Sequence, residues 1–102
     1  MMLSGKQKRY LRGLGHALKP VIMVGKGEIT AALLKETVDA LASHELIKVK
    51  ILESCLLGRD EVASDLAAAT GAEVAQILGR TILLYRRAEE PKIELPPDKK
   101  GK

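Results

Sequence analysis

Along this chain the apolar residues change their spacing again and again, and few fold classes can absorb that pattern. Leu3, Tyr10, Leu11, Leu14 and Leu18 share one side of a helical wheel at the 3.6-residue period, and Lys6, Lys8, Arg9 and Arg12 take the other. Val21-Ile22-Met23-Val24 is an uninterrupted apolar run, the pattern of a strand buried on both faces. Leu33, Leu34, Val38 and Leu41 return to helical spacing. Glu45–Leu52 then alternates, with Ile47, Val49 and Ile51 on one side and Lys48 and Lys50 on the other, as in a half-buried strand. Residues 53–58 connect to an alanine-rich helix over Arg59–Thr70. Two further strands, Ala72–Leu78 and Thr81–Arg86, are joined by the tight Gly79-Arg80 turn of a hairpin.

The punctuation agrees with the periods. Ser4 can cap the first helix, Gly13 and Gly15 weaken its end, and Lys19-Pro20 stops it. Thr30 caps the second helix and His44 closes it. Asp60 and Glu61 occupy the favourable first turn of the third, and Gly71 stands at its C-terminal cap. A helix followed by βαβαββ predicts an α/β fold: a four-stranded mixed sheet packed with helices, its first crossover parallel and right-handed. No internal repeat interrupts this order. The 102 residues suffice for one domain, expected over 1–95, with 96–102 a basic flexible tail ending in Lys99-Lys100-Gly101-Lys102. The tail from Glu89 holds three of the four prolines and reads as extended or disordered.

With no Phe or Trp, and Tyr10 and Tyr85 as the only aromatics, the core must be aliphatic. The same absence excludes an aromatic platform on which single-stranded bases stack. Cys55 is the single cysteine, so no internal disulfide forms, and a reducing compartment and a buried packing role are expected. Cys55, His16 and His44 lack the spacing of a metal site, and no cofactor or small-molecule substrate is implied. No stretch approaches the ~18–20 apolar residues of a membrane span. Met-Met-Leu-Ser-Gly-Lys lacks the apolar run of a secretory signal, which makes the cytoplasm the expected location.

Charge supplies the positive signal. Residues 1–27 carry Lys6, Lys8, Arg9, Arg12, Lys19 and Lys26 and no acid; all 13 acids follow, so the net +4 conceals a front of about +6. Such a surface attracts polyanions, nucleic acid above all; its bland alternative is a solvated helix face. Where the first strand gives way to the second helix, Gly25 and Gly27 leave backbone N–H groups accessible and Lys26 adds a charge. The helix beginning there directs its positive dipole end to the same spot, a combination suited to phosphate. A nucleotide-binding P-loop is excluded, since GKGEIT lacks the G-x-x-x-x-G-K-[ST] spacing. Catalytic readings find no support. His16 has no Ser, Cys or carboxylate partner nearby in sequence, His44 is expected to bond backbone, and the acids are spread over solvated helix faces.

The runs LRGLGHALKPVIMVGKGEIT, HELIKVKIL and TGAEVAQILGRTILLYR together resemble the CRM domain (chloroplast RNA splicing and ribosome maturation), and most of all its stand-alone bacterial YhbY-type members, over roughly residues 3–95. The resemblance implies a fold similar to the C-terminal domain of translation initiation factor three. It also implies RNA binding without catalysis: bacterial members associate with precursors of the large ribosomal subunit, and plant members act in group II intron splicing. It implies that a G-x-x-G loop touches RNA. Here Gly25 matches the first glycine, while Glu28 occupies the position of the second and Gly27 falls one place early. The expected RNA contacts are Lys6, Lys8, Arg9, Arg12, Lys19, Gly25, Lys26 and Gly27, with Lys48, Lys50, Arg80 and Arg86 in second rank. The expected partner is ribosomal RNA of large-subunit precursors, bound by a monomer. The alternative is a protein-interaction module docking on an acidic partner or a ribosomal protein.

Overall fold

Each of the first two helices begins where the sequence offers its backbone a cap. The Ser4 hydroxyl accepts from the Gln7 N–H at 3.1 Å and the Gln7 side chain accepts from the Ser4 N–H, a reciprocal box that opens α1, Gly5–Gly15. Thr30 accepts from the Leu33 N–H at the head of α2, Ala31–His44. The third helix, α3, Arg59–Thr70, has no side-chain cap; Asp60 and Glu61 complement its dipole instead. Between the helices run β1, Pro20–Val24; β2, Leu46–Ile51; β3, Glu73–Leu78; and β4, Thr81–Tyr85.

A computed structural model describes residues 3–97, and within them the strands form one four-stranded sheet in the order β1-β2-β4-β3. β1 runs parallel to β2, as the intervening helix demands, while β4 is antiparallel to both β2 and β3. The alternation along the strands sorts two cores. Ile22, Val24, Ile47, Val49, Ile51, Ile82 and Leu84 face α2 and α3, meeting Leu41, Val62 and Leu66. Leu46, Ala75, Leu83 and Tyr85 face the other way, under Leu11 of α1 and Leu3 just ahead of it. Full burial of each such side chain contributes about 1.5–3 kcal/mol, so the two-helix side carries most of the stability. Cys55 packs into that larger core, in the expected role.

Four details differ from the sequence expectation, each for a physical reason. Along α1 the buried line is Gln7, Leu11 and Gly15, continued ahead of the helix by Leu3, whereas Tyr10, Leu14 and, past the helix, Leu18 are exposed. Gly15 sets that line. A Cβ there would lie 2.7 Å from the Leu83 side chain, so the glycine permits close contact rather than weakening the helix end. Second, β1 is not buried on both faces: Val21 and Met23 are 47% and 55% exposed. As an edge strand it receives its main cover from α2, because α1 packs over β2 and β3. Third, among the described residues the His44 ring has no hydrogen bond to backbone, and it lies exposed at the end of α2.

Fourth, residues 88–97 form neither helix nor strand, yet they lie folded along the protein as a strap. Glu45, 2% exposed and at φ 64°, receives the N–H groups of Ala88, Lys92 and Ile93 on its carboxylate at 3.0, 2.7 and 2.8 Å. Gln7 donates to the Pro96 carbonyl at 3.0 Å, and Ile93 and Leu95 pack on the α1-side core. The basic run at 99–102 lies outside the described residues.

Candidate functional site

The turn after β1 has to bring the chain back into α2 within a few residues. Gly25-Lys26-Gly27-Glu28 does so as a closed turn, with the Glu28 N–H donating to the Gly25 carbonyl at 2.8 Å. Gly25 is held against the end of β2: a Cβ would sit 3.2 Å from Ser54 Oγ and 3.3 Å from Leu52 Cδ1. The left-handed residue is Glu28, at φ 58°. Gly27 has neither a positive φ nor a crowded neighbour, its nearest contact being Thr30 at 3.8 Å. Glycine is therefore the residue that backbone geometry favours at position 28, and Gly27 does not replace it in register. Beyond the turn, Thr30 takes the Leu33 N–H, while the first N–H groups of α2 have no acceptor within the helix and face the loop end.

The cations of α1 fall on two sides. Lys6 is exposed on the outward side. Arg9, Arg12 and His16 line a groove of about 440 Å³ with Lys48, Gln76, Leu78, Thr81 and Leu83, and Lys8, half-buried, shares their flank. Sheet register explains this meeting. Lys48 pairs with Leu83, which pairs with Gln76, and in the next row Lys50 pairs with Thr81, which pairs with Leu78. A bulge between Val74 and Gln76 places Ala75 and Gln76 together on the α1 side. Among the described residues no acid lines the groove. Among the described residues, the charged groups of Arg9, Arg12, Lys48 and Lys50 have no carboxylate partner; the sole ion pair is Lys35–Asp39 at 3.2 Å, an exposed pair on α2.

Lys50 carries the basic surface onward, because it pairs with Met23, one step before Val24 and the Gly25 turn. Lys26 is exposed on that turn. Lys19 lies at the entry to β1 in a second, apolar groove with Leu14, Leu18, Val21, Leu46 and Ile93, where Lys48 and His44 are also found. Lys48 thus belongs to both grooves. Two of the second-rank residues stand apart. Arg80 is a clip: its Nε donates to the Ile51 carbonyl at 3.1 Å and Nη2 to that of Leu52 at 2.8 Å, tying the hairpin turn to β2. Arg86 follows β4 at the opposite end of the sheet, where its N–H donates to the Glu45 carbonyl.

Sequence reading missed His16, Gln76 and Leu78 as members of the basic groove, since their meeting depends on the bulge and on the path of α1. It also missed Glu45. The available signal was an acid placed between a helix end and the first apolar residue of a strand, where a solvated carboxylate is out of place. Among the described residues no group of three or more His, Cys, Asp or Glu converges as a metal site, and no helix is long and apolar enough to cross a membrane.

Comparison with known proteins agrees with this fold. The family model of the CRS1 / YhbY (CRM) domain matches residues 3–86. A Bacillus subtilis protein named "Probable RNA-binding protein YqeI" is 43% identical over 96 residues, covering 93% of this chain and 100% of that relative. A Haemophilus influenzae protein named "RNA-binding protein" is 42% identical over 92% of this chain and 95% of its own length. The solution structure of the Staphylococcus aureus hypothetical protein SAV1595, proposed to bind RNA, superposes with a TM-score of 0.80 at 44% identity, covering 93% of this chain and 100% of that one. With its helix-plus-βαβαββ order and a family match across nearly all of its folded length, the chain belongs to the CRS1 / YhbY (CRM) domain family.

Proposed function

We propose that this chain is a single-domain, non-catalytic RNA-binding protein of the cytoplasm that binds ribosomal RNA in large-subunit precursors and aids their assembly. The observation that carries this reading is the groove in which Arg9 and Arg12 of α1 meet Lys48 of β2, free of acid and of ion pairs among the described residues. Lys8 extends it along the helix, Lys6 adds charge from the outward side of α1, and Lys50, Gly25 and Lys26 extend it toward the positive end of α2. The names of the relatives and the family's role in RNA metabolism supply the choice of RNA over DNA, which electrostatics alone does not make.

A surface engaging about six phosphates releases their counterions, so log affinity should fall against log salt with a slope of about −4 to −5. Titration of labelled ribosomal RNA fragments from 50 to 300 mM salt (roughly the range over which such binding fades) measures it. A slope shallower than about −2 would sink the reading. In cells, cosedimentation with large-subunit precursors that disappears as salt rises is the matching result.

The turn supplies a second test. Glu28→Gly removes a carboxylate from a phosphate-facing helix end and relieves a left-handed L-residue that costs about 1 kcal/mol. Stability and RNA affinity should therefore rise together, by a few degrees in Tm and a few-fold in Kd. A variant that melts lower, or binds more weakly, would show that Glu28 has a role of its own in the turn.

The apolar groove of Leu14, Leu18, Val21 and Ile93, edged by Lys19, His44 and Lys48, favours a second reading, docking on an acidic protein partner. Association with ribosomal particles that survives RNase treatment would select it.

A further inference from the structure

We propose that the groove between α1 and the β3–β4 hairpin holds one unstacked nucleotide of the bound RNA. This deepens the RNA-binding reading and rests on it. Tracking a phosphate backbone requires only cations on an open surface. This groove offers more: an apolar wall and neutral hydrogen-bonding groups stand among its charges. Leu78 is 67% exposed, an aliphatic side chain left in water beside Arg9, Arg12 and Lys48, and Leu83 forms the floor next to it. Gln76 and Thr81 flank these leucines on the same face of the sheet. A carboxamide presents a donor and an acceptor side by side, the pattern of a base edge, and the threonine hydroxyl serves as either.

Space is available on the helix side because Gly13 lines the groove without a side chain, and a Cβ there would meet nothing within 4 Å. At about 440 Å³ the groove falls within the ~300–1,000 Å³ range of small-ligand sites. A nucleotide seated here would place its phosphate among Arg9, Arg12 and Lys48, its base face on Leu78, and its base edge toward Gln76 and Thr81. With no aromatic ring in the groove, the base is held by aliphatic packing and hydrogen bonds. A base inside a duplex cannot reach that floor, so the groove selects a bulge, loop or unpaired end.

The test compares two RNA hairpins of equal length, one fully paired and one carrying a single unpaired uridine, by fluorescence anisotropy at fixed salt. The full chain should bind the bulged hairpin about tenfold more tightly, the size that one or two net hydrogen bonds and a packed base face provide. Gln76→Ala and Leu78→Ser, both at solvent-accessible positions, should each cut that preference to about twofold or less, and since neither change alters a charge, the salt slope on each hairpin should keep its value. Equal binding of both hairpins by the unaltered chain, or a preference that survives both substitutions, overturns the nucleotide site alone. Absence of binding to either hairpin at low salt overturns the RNA-binding reading beneath it as well.

Discussion

Replacing Glu45 by glutamine is expected to lower the melting temperature by roughly 10 °C or more at neutral pH. The carboxylate accepts three backbone N–H groups from the strap, two on Oε1 and one on Oε2. Glutamine keeps one acceptor oxygen but turns an NH₂ group toward a donor, so one partly buried N–H faces another. Hydrogen bonds to a charged group contribute about 1.5–3 kcal/mol each, and an orphaned donor costs about 1–3 kcal/mol, which puts the net loss at about 2–3 kcal/mol. The pH dependence separates this from generic damage. Burial of Glu45 pushes its carboxyl upward, but the N–H donors of Ala88, Lys92 and Ile93, with the Lys92 charge, outweigh burial and hold it below the ordinary 4.5. A group lowered on folding contributes stability that is complete above its unfolded value and is lost as pH falls through the folded one. The gap in Tm between the native chain and Glu45→Gln should therefore be full at pH 7 and narrow below about pH 4.5. Amide exchange at Lys92 and Ile93 should accelerate in the variant. A gap that persists unchanged into acid would mean that the carboxylate charge is not what holds the strap.

The same residue marks the limit of what the sequence discloses. The elements were legible because each is written in local terms: the Ser4 and Thr30 caps, the alternation through Ile47, Val49 and Ile51, and the Gly79-Arg80 turn all act within a few residues of themselves. The parallel β1–β2 pair followed from the helix between them. What stayed hidden depends on contacts between distant segments. The burial of Glu45 is set by a strap more than forty positions later, which composition alone marked as loose. Val21 and Met23 read as core, but sheet order makes β1 an edge and leaves them in solvent. Gly15 looked like a weakness until Leu83 was found against it. The basic surface shows the same division. Its charge and its placement on α1 were visible in the first 27 residues, whereas the groove that joins Arg9 and Arg12 to Lys48, Gln76 and Leu78 required the cross-strand register and the bulge.

Reversing the charge of α1, with Lys6, Lys8, Arg9 and Arg12 all changed to Glu, is expected to weaken binding to every RNA by about a thousandfold or more near physiological salt. The change moves the net charge from +4 to −4 and puts acid into the segment that had none. Each phosphate contact removed should lower the salt slope by about one, leaving it near −1 or flat. The fold should tolerate the change. The four side chains lie off the buried line of Leu3, Gln7, Leu11 and Gly15, and acid at Lys6 and Lys8 suits the helix N-terminus. A melt within a few degrees of the native chain is the control that assigns the loss to binding. Phosphate contacts position a protein without reading sequence, so affinities for unrelated RNAs should fall in parallel. If one RNA were spared or selectively lost, α1 would be reading bases rather than backbone. If affinity scarcely moved, the binding surface would lie elsewhere, and the apolar groove beside Lys19 would become the leading docking site.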